Sequence, residues 1–153
     1  MKIEFPASLR RRMRRRLWWA GRREIGGILM AEQIAPGHFR LADFSVDDQT
    51  GGAAHFVRST EYHQAALRSF FARTGDDYRR YNYLGEWHSH PRFPVIPSVD
   101  DCCSMRELVE SERSIDFAIL LISKTRLWTP LECSALLFQK GEEAFRVEVN
   151  YCE

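Results

Sequence analysis

The sequence of 153 residues contains no apolar run long enough to span a membrane. Its N-terminus also has no apolar core of the kind that marks a secretory signal. The four cysteines (Cys102, Cys103, Cys133 and Cys152) form no CxxC pair, and two adjacent cysteines make a poor disulfide framework. We therefore expect reduced thiols in a cytoplasmic protein that has no membrane partner.

The chain also lacks an excess of charge of one sign. Lysine and arginine together number 22 and aspartate and glutamate 21, which gives a formal net charge of +1. This balance excludes a protein that binds polyanions with its whole surface. The hydrophobic content of 44% excludes a disordered chain and is enough for a packed core. The length predicts one domain over residues 1–153.

Basic residues are nevertheless concentrated near the N-terminus. Leu9, Met13 and Leu17 recur every four residues and predict one apolar helical face, which Gly21 ends. The other faces carry the arginines Arg10, Arg11, Arg12, Arg14, Arg15 and Arg16. Three readings remain open for this basic helix. It is a solvated face, it contacts an acidic partner, or, least favoured, it binds nucleic acid or a membrane surface.

Apolar periodicity and turn residues predict the order of the remaining elements. The sequence shows no internal repeat, linker or low-complexity segment. We predict an α/β (α+β) chain with a single mixed sheet flanked by helices. The predicted strands cover residues 2–5, 25–31, 39–46 (with a possible bulge), 81–90, 116–123, 132–139 and 144–151. The predicted helices begin at Pro6, at Ser59 or Thr60, and at Ser98, and end near 20, 75 and 112.

The most informative stretch runs from residue 85 to residue 101. His88 and His90 are two apart in a predicted strand, so both imidazoles point to one face, and Pro91 ends the strand directly after them. Ser98 followed by Asp101 is typical of a helix N-terminus. Two imidazoles and one carboxylate form a three-ligand set for zinc, with the fourth position left to water.

Neighbouring residues leave some alternatives at this site. Glu86 shares the histidine face by strand alternation and could orient an imidazole, but a salt bridge elsewhere explains it equally well. Asp100 is one position away from the motif and is read as an exposed neighbour. Cys102 and Cys103 are soft donors for zinc, but a helix position packed inward is the preferred reading for them.

The pattern His88-Ser89-His90, Ser98 and Asp101 resembles the JAMM motif of the JAB/MPN metalloprotease family. The motif also has an upstream glutamate, which Glu24 matches in the context Arg23-Glu24-Ile25-Gly26-Gly27. The resemblance covers roughly residues 1–140 and implies a cytidine-deaminase-like sandwich. It also implies one Zn²⁺ per chain held by His88, His90 and Asp101, with Glu24 as general base and Ser98 as a donor to the oxyanion.

A zinc ion at such a site lowers the pKa of a bound water to about 7 and so supplies hydroxide at neutral pH. The resemblance implies an isopeptidase or peptidase that cuts after the C-terminus of a ubiquitin-like protein or of a C-terminally conjugated protein. The similarity is greatest to compact bacterial members of antiphage (CBASS-type) operons. The expected partners are then a cGAS-like nucleotidyltransferase and ubiquitin-activating-like or conjugating-like enzymes.

Three other functions remain open. A related hydrolase of the same family frees an amino acid such as cysteine from a sulfur-carrier protein. A non-enzymatic scaffold is disfavoured because metal-free members lack the ligands that this chain keeps. A nucleic-acid-binding module that uses the arginine helix would show affinity that falls steeply with salt.

Overall fold

A computed structural model describes residues 1–47, 60–126 and 129–153. Within these ranges the chain forms seven strands and three helices, in the predicted order. The strands are β1 (Lys2–Pro6), β2 (Gly26–Ala35), β3 (His38–Phe44), β4 (Tyr81–Ser89), β5 (Phe117–Lys124), β6 (Glu132–Gln139) and β7 (Phe145–Cys152). The helices are α1 (Ala7–Ala20), α2 (Thr60–Arg73) and α3 (Val99–Ser111). None of these helices is long and apolar enough to cross a membrane.

Most predicted boundaries agree with the structure to within two residues, although β2 continues to Ala35, four residues beyond its predicted end. Pro6 is the last residue of β1 rather than the first of α1, since its extended ψ of 146° keeps it in the strand. The possible start of the second helix at Ser59 lies outside the described residues. The predicted bulge is present: Met30 pairs with Asp43 and Ala31 with Leu41, which leaves Ala42 as the extra residue of β3.

All seven strands belong to one mixed sheet with the order β1-β3-β2-β4-β5-β6-β7. The central strand β4 pairs antiparallel with β2 and parallel with β5. The strand β1 pairs in parallel with both β3 and β7, so the sheet closes on itself. The mixed α/β content and the single mixed sheet are therefore confirmed. The closure was not predicted, and the sandwich layering of the family stays a prediction.

The centre of the sheet is buried on both faces. On one face, the apolar stripe of α1 packs against Trp87 of β4 and Leu121 of β5. On the other face, Met105 and Val109 of α3 pack against β5, while Phe70 of α2 packs against β2. This double burial explains why residues 117–122 form a continuous apolar run instead of an alternating pattern.

Candidate metal centre

The two histidines lie together at the carboxyl end of β4. His88 is in the strand, between Gly26 of β2 and Ile122 of β5, and His90 follows one residue after the strand ends. Their Nε2 atoms are 3.0 Å apart, and each residue is only 7% exposed. The i, i+2 spacing therefore brings both imidazoles to one point at the edge of the sheet, as the sequence predicts.

The carboxylate of Asp101 reaches the same point because of the way α3 begins. Ser98 is the N-cap, and its hydroxyl accepts a hydrogen bond from the Asp101 N–H at 3.1 Å. In return, the Ser98 N–H donates to Asp101 Oδ2 at 2.7 Å. This reciprocal capping box turns Oδ2 toward the histidines, at 3.4 Å from His88 Nε2 and 3.8 Å from His90 Nε2.

The surroundings of Asp101 keep its carboxylate ionised. Burial by itself would raise the pKa of this carboxyl group, but the hydrogen bond and electrostatic interaction with His88 oppose that effect. Hydrogen bonds from the backbone and side chain of Ser98 lower the pKa further. The net result is a pKa well below the usual value for an aspartate. Asp101 therefore presents an anionic oxygen to the histidines at neutral pH.

The spacing of the three donor atoms fits a tetrahedral metal ion. Four donors about 2.1 Å from a tetrahedral zinc ion lie roughly 3.4 Å from one another. The three measured separations here are 3.0, 3.4 and 3.8 Å. His88, His90 and Asp101 are the group that could hold a metal ion in the part of the chain that the structure describes. Neither Cys102, which packs with the α3 core, nor the exposed Cys103 belongs to this group.

A short loop after β4 sets the orientation of His90. His90 Nδ1 lies 2.9 Å from the Pro94 carbonyl oxygen. Because a carbonyl oxygen only accepts hydrogen bonds, Nδ1 carries the proton and the Nε2 lone pair is left for a metal. The contact of His90 Nδ1 with the Pro94 carbonyl cannot be predicted from the sequence, since it depends on the path of the loop.

The same loop is fastened to the sheet at three successive carbonyls. Besides the Pro94 carbonyl, the Phe93 carbonyl accepts a hydrogen bond from Lys124 Nζ at 2.7 Å, and the Val95 carbonyl accepts one from the Ser134 hydroxyl. Lys124 lies at the end of β5 and is only 5% exposed, which is rare for a lysine. Neither Lys124 nor Ser134 was predicted. The only signal in the sequence is that Lys124 is a polar residue at the end of an apolar strand.

Glu24 lies two residues before β2 and is 7% exposed. The next residue is joined to β4 by two hydrogen bonds. The Ile25 N–H donates to Ser89 Oγ at 3.0 Å, and the Ser89 N–H donates to the Ile25 carbonyl at 2.8 Å. The structure therefore places Glu24 at the same edge of the sheet as the two histidines. Ser89, between the histidines in sequence, was not predicted to have this role.

Glycine is required beside Glu24 because the strands approach closely there. A Cβ atom on Gly26 would lie 2.4 Å from the Trp87 carbonyl oxygen, and one on Gly27 would lie 2.2 Å from the Ser45 carbonyl oxygen. The prediction that these glycines permit a close backbone approach is confirmed. Gly26 therefore lets β2 approach β4 next to His88, and Gly27 lets β2 approach the residue that follows β3.

The other residues that the sequence singled out lie nearby but outside the donor group. Asp100 is exposed in the first turn of α3. Glu86 lines a cavity of about 960 Å³ between α2 and α3, on the side of the sheet that carries His88. Among the residues that the structure describes, the exposed Ser98 hydroxyl accepts one hydrogen bond and donates none, so its proton can be donated to a substrate.

Comparison with known proteins shows the family of this chain. The family profile described as prokaryotic homologs of the JAB domain matches residues 6–129. The chain belongs to the prokaryotic JAB family. Among curated proteins, this JAB chain is similar to the "CD-NTase/cGAS isopeptidase" of Vibrio cholerae, with 28% identity over 108 residues. That match covers 69% of this chain and 65% of the length of the Vibrio protein, which is just under two thirds.

Solved structures show the same fold at low sequence identity. A solution structure of a protein from Desulfitobacterium hafniense matches this JAB chain with a TM-score of 0.72 and 19% identity, over 99% of this chain and 93% of the other. A second solution structure, from Salinibacter ruber, has a TM-score of 0.59 and 18% identity, over 98% and 92% of the two chains.

Proposed function

We propose that this JAB protein is a zinc-dependent isopeptidase that hydrolyses the amide bond after the C-terminus of a conjugated protein. The observation that carries the proposal is the convergence of His88 Nε2, His90 Nε2 and Asp101 Oδ2 at the separations of a tetrahedral site. Glu24 lies at the same edge of the sheet. Membership of the JAB family supports a hydrolase.

A zinc ion held by these three donors would supply a water of near-neutral pKa and would polarise the scissile carbonyl. The chain itself must then move a proton and stabilise charge. Glu24, as general base, takes the proton of the attacking water and delivers it to the leaving nitrogen. The free proton of the Ser98 hydroxyl is donated to the oxygen that becomes negative as the carbonyl is attacked. Asp101 needs no proton change for either step, because its low pKa keeps it anionic.

We propose a CD-NTase joined to another molecule through its C-terminal carboxyl as the substrate. The name of the Vibrio cholerae relative supports this class, and it favours deconjugation over the alternative in which an amino acid is freed from a sulfur-carrier protein. The protein would then act with a cGAS-like nucleotidyltransferase and its ubiquitin-activating-like and conjugating-like enzymes in antiphage defence. Any ubiquitin-like protein in that system is a second substrate of the same chemical kind.

Zinc content and cleavage together test this function. We expect about one zinc per chain after purification without added metal, and loss of both zinc and cleavage in His88→Ala. The half-buried His38, which lies at the start of β3 and pairs with Glu4, provides the matched control His38→Ala. Zinc that persists in His88→Ala would contradict the ligand assignment. A zinc-loaded chain that leaves a C-terminally conjugated CD-NTase intact would contradict the proposed substrate.

A further inference from the structure

The structure separates the arginines of α1 into two groups. Arg10 and Arg12 are used within the fold. The guanidinium of Arg10 donates to the Cys152 carbonyl at 2.8 Å and lies over the Tyr151 ring. Arg12 pairs with Asp43 and covers the Phe44 ring at 4.2 Å. These two arginines therefore fasten α1 to the sheet and need no external partner.

The other four arginines of the helix face solvent. Arg11, Arg14, Arg15 and Arg16 are exposed, and within the described ranges no ion pair, hydrogen bond or ring contact is found for any of them. The helix contains no acidic residue that could balance them. Arg11 and Arg15 are four residues apart, a spacing at which like charges destabilise a helix. A face that only kept the protein soluble would not need this arrangement.

Two tryptophans continue the same face toward the end of α1. Trp18 is 59% exposed and Trp19 is 72% exposed, and their ring centroids are 5.2 Å apart. Arg11, Arg15 and Trp18 occupy positions i, i+4 and i+7 of the helix, so they lie along one stripe of its surface. Tryptophan and arginine are the residue types that most often dominate the binding energy of protein interfaces. The arginine–tryptophan surface comprises Arg11, Arg14, Arg15, Arg16, Trp18 and Trp19.

The arginine–tryptophan surface ends five residues before Glu24 in the chain. The turn after α1 is tight, with the Arg23 N–H donating to the Ala20 carbonyl at 3.1 Å, and Glu24 follows directly. A chain spans at most about 3.6 Å per residue, so the Cα atoms of Trp19 and Glu24 are within about 18 Å of each other. A folded protein of about 100 residues has a radius of gyration of about 13 Å. A protein whose C-terminal tail lies at Glu24 can therefore also contact this surface.

We propose that the arginine–tryptophan surface binds an acidic patch on the folded body of the conjugated substrate, outside the tail that is cut. This inference rests on the proposed function, since it assigns a second contact to the same substrate. A membrane is a poorer occupant because the apolar stripe of α1 (Leu9, Met13, Leu17 and Ala20) is already buried against the sheet. A nucleic acid would not explain why the surface adjoins the site of cleavage.

The test compares a folded substrate with a short one on the zinc-loaded full-length chain. The folded substrate is a CD-NTase from the same source, joined through its C-terminal carboxyl to a fluorescent lysine. The short substrate is a peptide that has the same C-terminal tail and the same bond. The variants are Arg14→Glu with Arg15→Glu, and separately Trp19→Ala. The control, Arg113→Glu with Arg146→Glu, makes the same charge change at exposed arginines that lie far from α1 in sequence.

For the arginine–tryptophan variants, we expect KM for the folded substrate to rise about tenfold or more, with kcat almost unchanged. KM for the peptide should not change, and the control should behave as the unmodified protein. Higher salt should raise KM for the folded substrate in the unmodified protein but not in the charge-reversed variant, because salt screens exposed charges. An unchanged KM for the folded substrate, or an equal rise for the peptide, would overturn the proposal.

Direct binding separates this proposal from the proposed function. If the unmodified chain cleaves neither substrate, the proposed function fails, and the surface is then tested by fluorescence anisotropy with the labelled CD-NTase. Binding that is about tenfold weaker in the charge-reversed variant would retain the surface, whereas equal binding would overturn it. Tighter binding to a duplex DNA of about 20 base pairs or to anionic lipid vesicles than to the CD-NTase, lost in the same variant, would also overturn it.

Discussion

At the scale of single residues, the residues of the candidate site have different roles although they lie close together. Asp101 is kept anionic by His88 and by the start of α3. His90 is oriented by the Pro94 carbonyl. Glu24 and Ser98 are not members of the donor group, and the proposed function assigns them proton transfer and oxyanion stabilisation. Substitutions at these last two residues can therefore separate catalysis from metal binding.

Glu24→Gln should keep zinc and lose turnover. The amide keeps the size of the side chain but cannot accept the proton, and positioned acid–base groups typically contribute about 10²- to 10⁴-fold. Metal analysis and the steady-state rate on the same preparation measure both quantities. Glu107→Gln, at an exposed position of α3, is the control. Full activity in Glu24→Gln would remove Glu24 from the mechanism.

Ser98 has two roles that substitutions can separate. Ser98→Ala removes the cap and should lower the free energy of unfolding by about 1 kcal/mol, whereas Ser98→Gly should cost only a few tenths. Both changes remove the hydroxyl, so we expect turnover to fall in both, by about a hundredfold or less. Thermal melts and rates measure the two effects. Unchanged turnover in Ser98→Gly would leave Ser98 with the capping role alone.

At the scale of elements, the loop between β4 and α3 links the ends of three neighbouring strands. Its Phe93, Pro94 and Val95 carbonyls are held from β5, from His90 and from β6. Lys124 is the buried cation among these contacts and does not belong to the donor group itself. The loop therefore holds the imidazole of His90 in a fixed position relative to β5 and β6.

Lys124→Met should weaken zinc binding although it removes no ligand. The change frees the Phe93 carbonyl and loosens the loop that orients His90, and residues that orient a metal ligand typically contribute about 10- to 100-fold in affinity. Competition with a chromophoric chelator measures the zinc dissociation constant. Lys140→Met, at the exposed residue that directly follows β6, is the control. Zinc affinity equal to that of the control would show that the loop does not depend on Lys124.

At the scale of the whole molecule, β1 joins the two edges of the sheet. Phe5 is completely buried, and its ring lies 6.4 Å from the ring of Tyr151 on β7. The parallel pairing of β1 with β7 brings the N-terminal and C-terminal segments of the described chain together. The stability of the molecule should therefore depend on a strand that lies far from the candidate site in sequence.

Phe5→Ala should lower the free energy of unfolding by about 3–5 kcal/mol, because it leaves a cavity where a large buried ring was. Phe145→Ala removes the same atoms from an exposed position of β7 and should have little effect. Urea denaturation monitored by tryptophan fluorescence measures both. A small loss in Phe5→Ala would show that the β1–β7 pairing contributes little to stability.

Local sequence determined much of this protein. Apolar periodicity gave the order of helices and strands, and the pair of histidines before a proline marked the end of β4. Ser98 and Asp101 at their spacing specify a capping box whatever lies around them, since both hydrogen bonds are made within one turn. These features were predictable because each depends on contacts between residues close together in the chain.

Tertiary structure decided what depends on residues distant in sequence. The three donor separations, the anchoring of the loop by Lys124 and Ser134, and the contact of Ile25 with Ser89 all join separate elements. The same is true of the closure of the sheet by β1 and of the division of the α1 arginines into bound and exposed groups. No local pattern encodes these contacts, because each requires two segments to be brought together by the packing of the whole sheet.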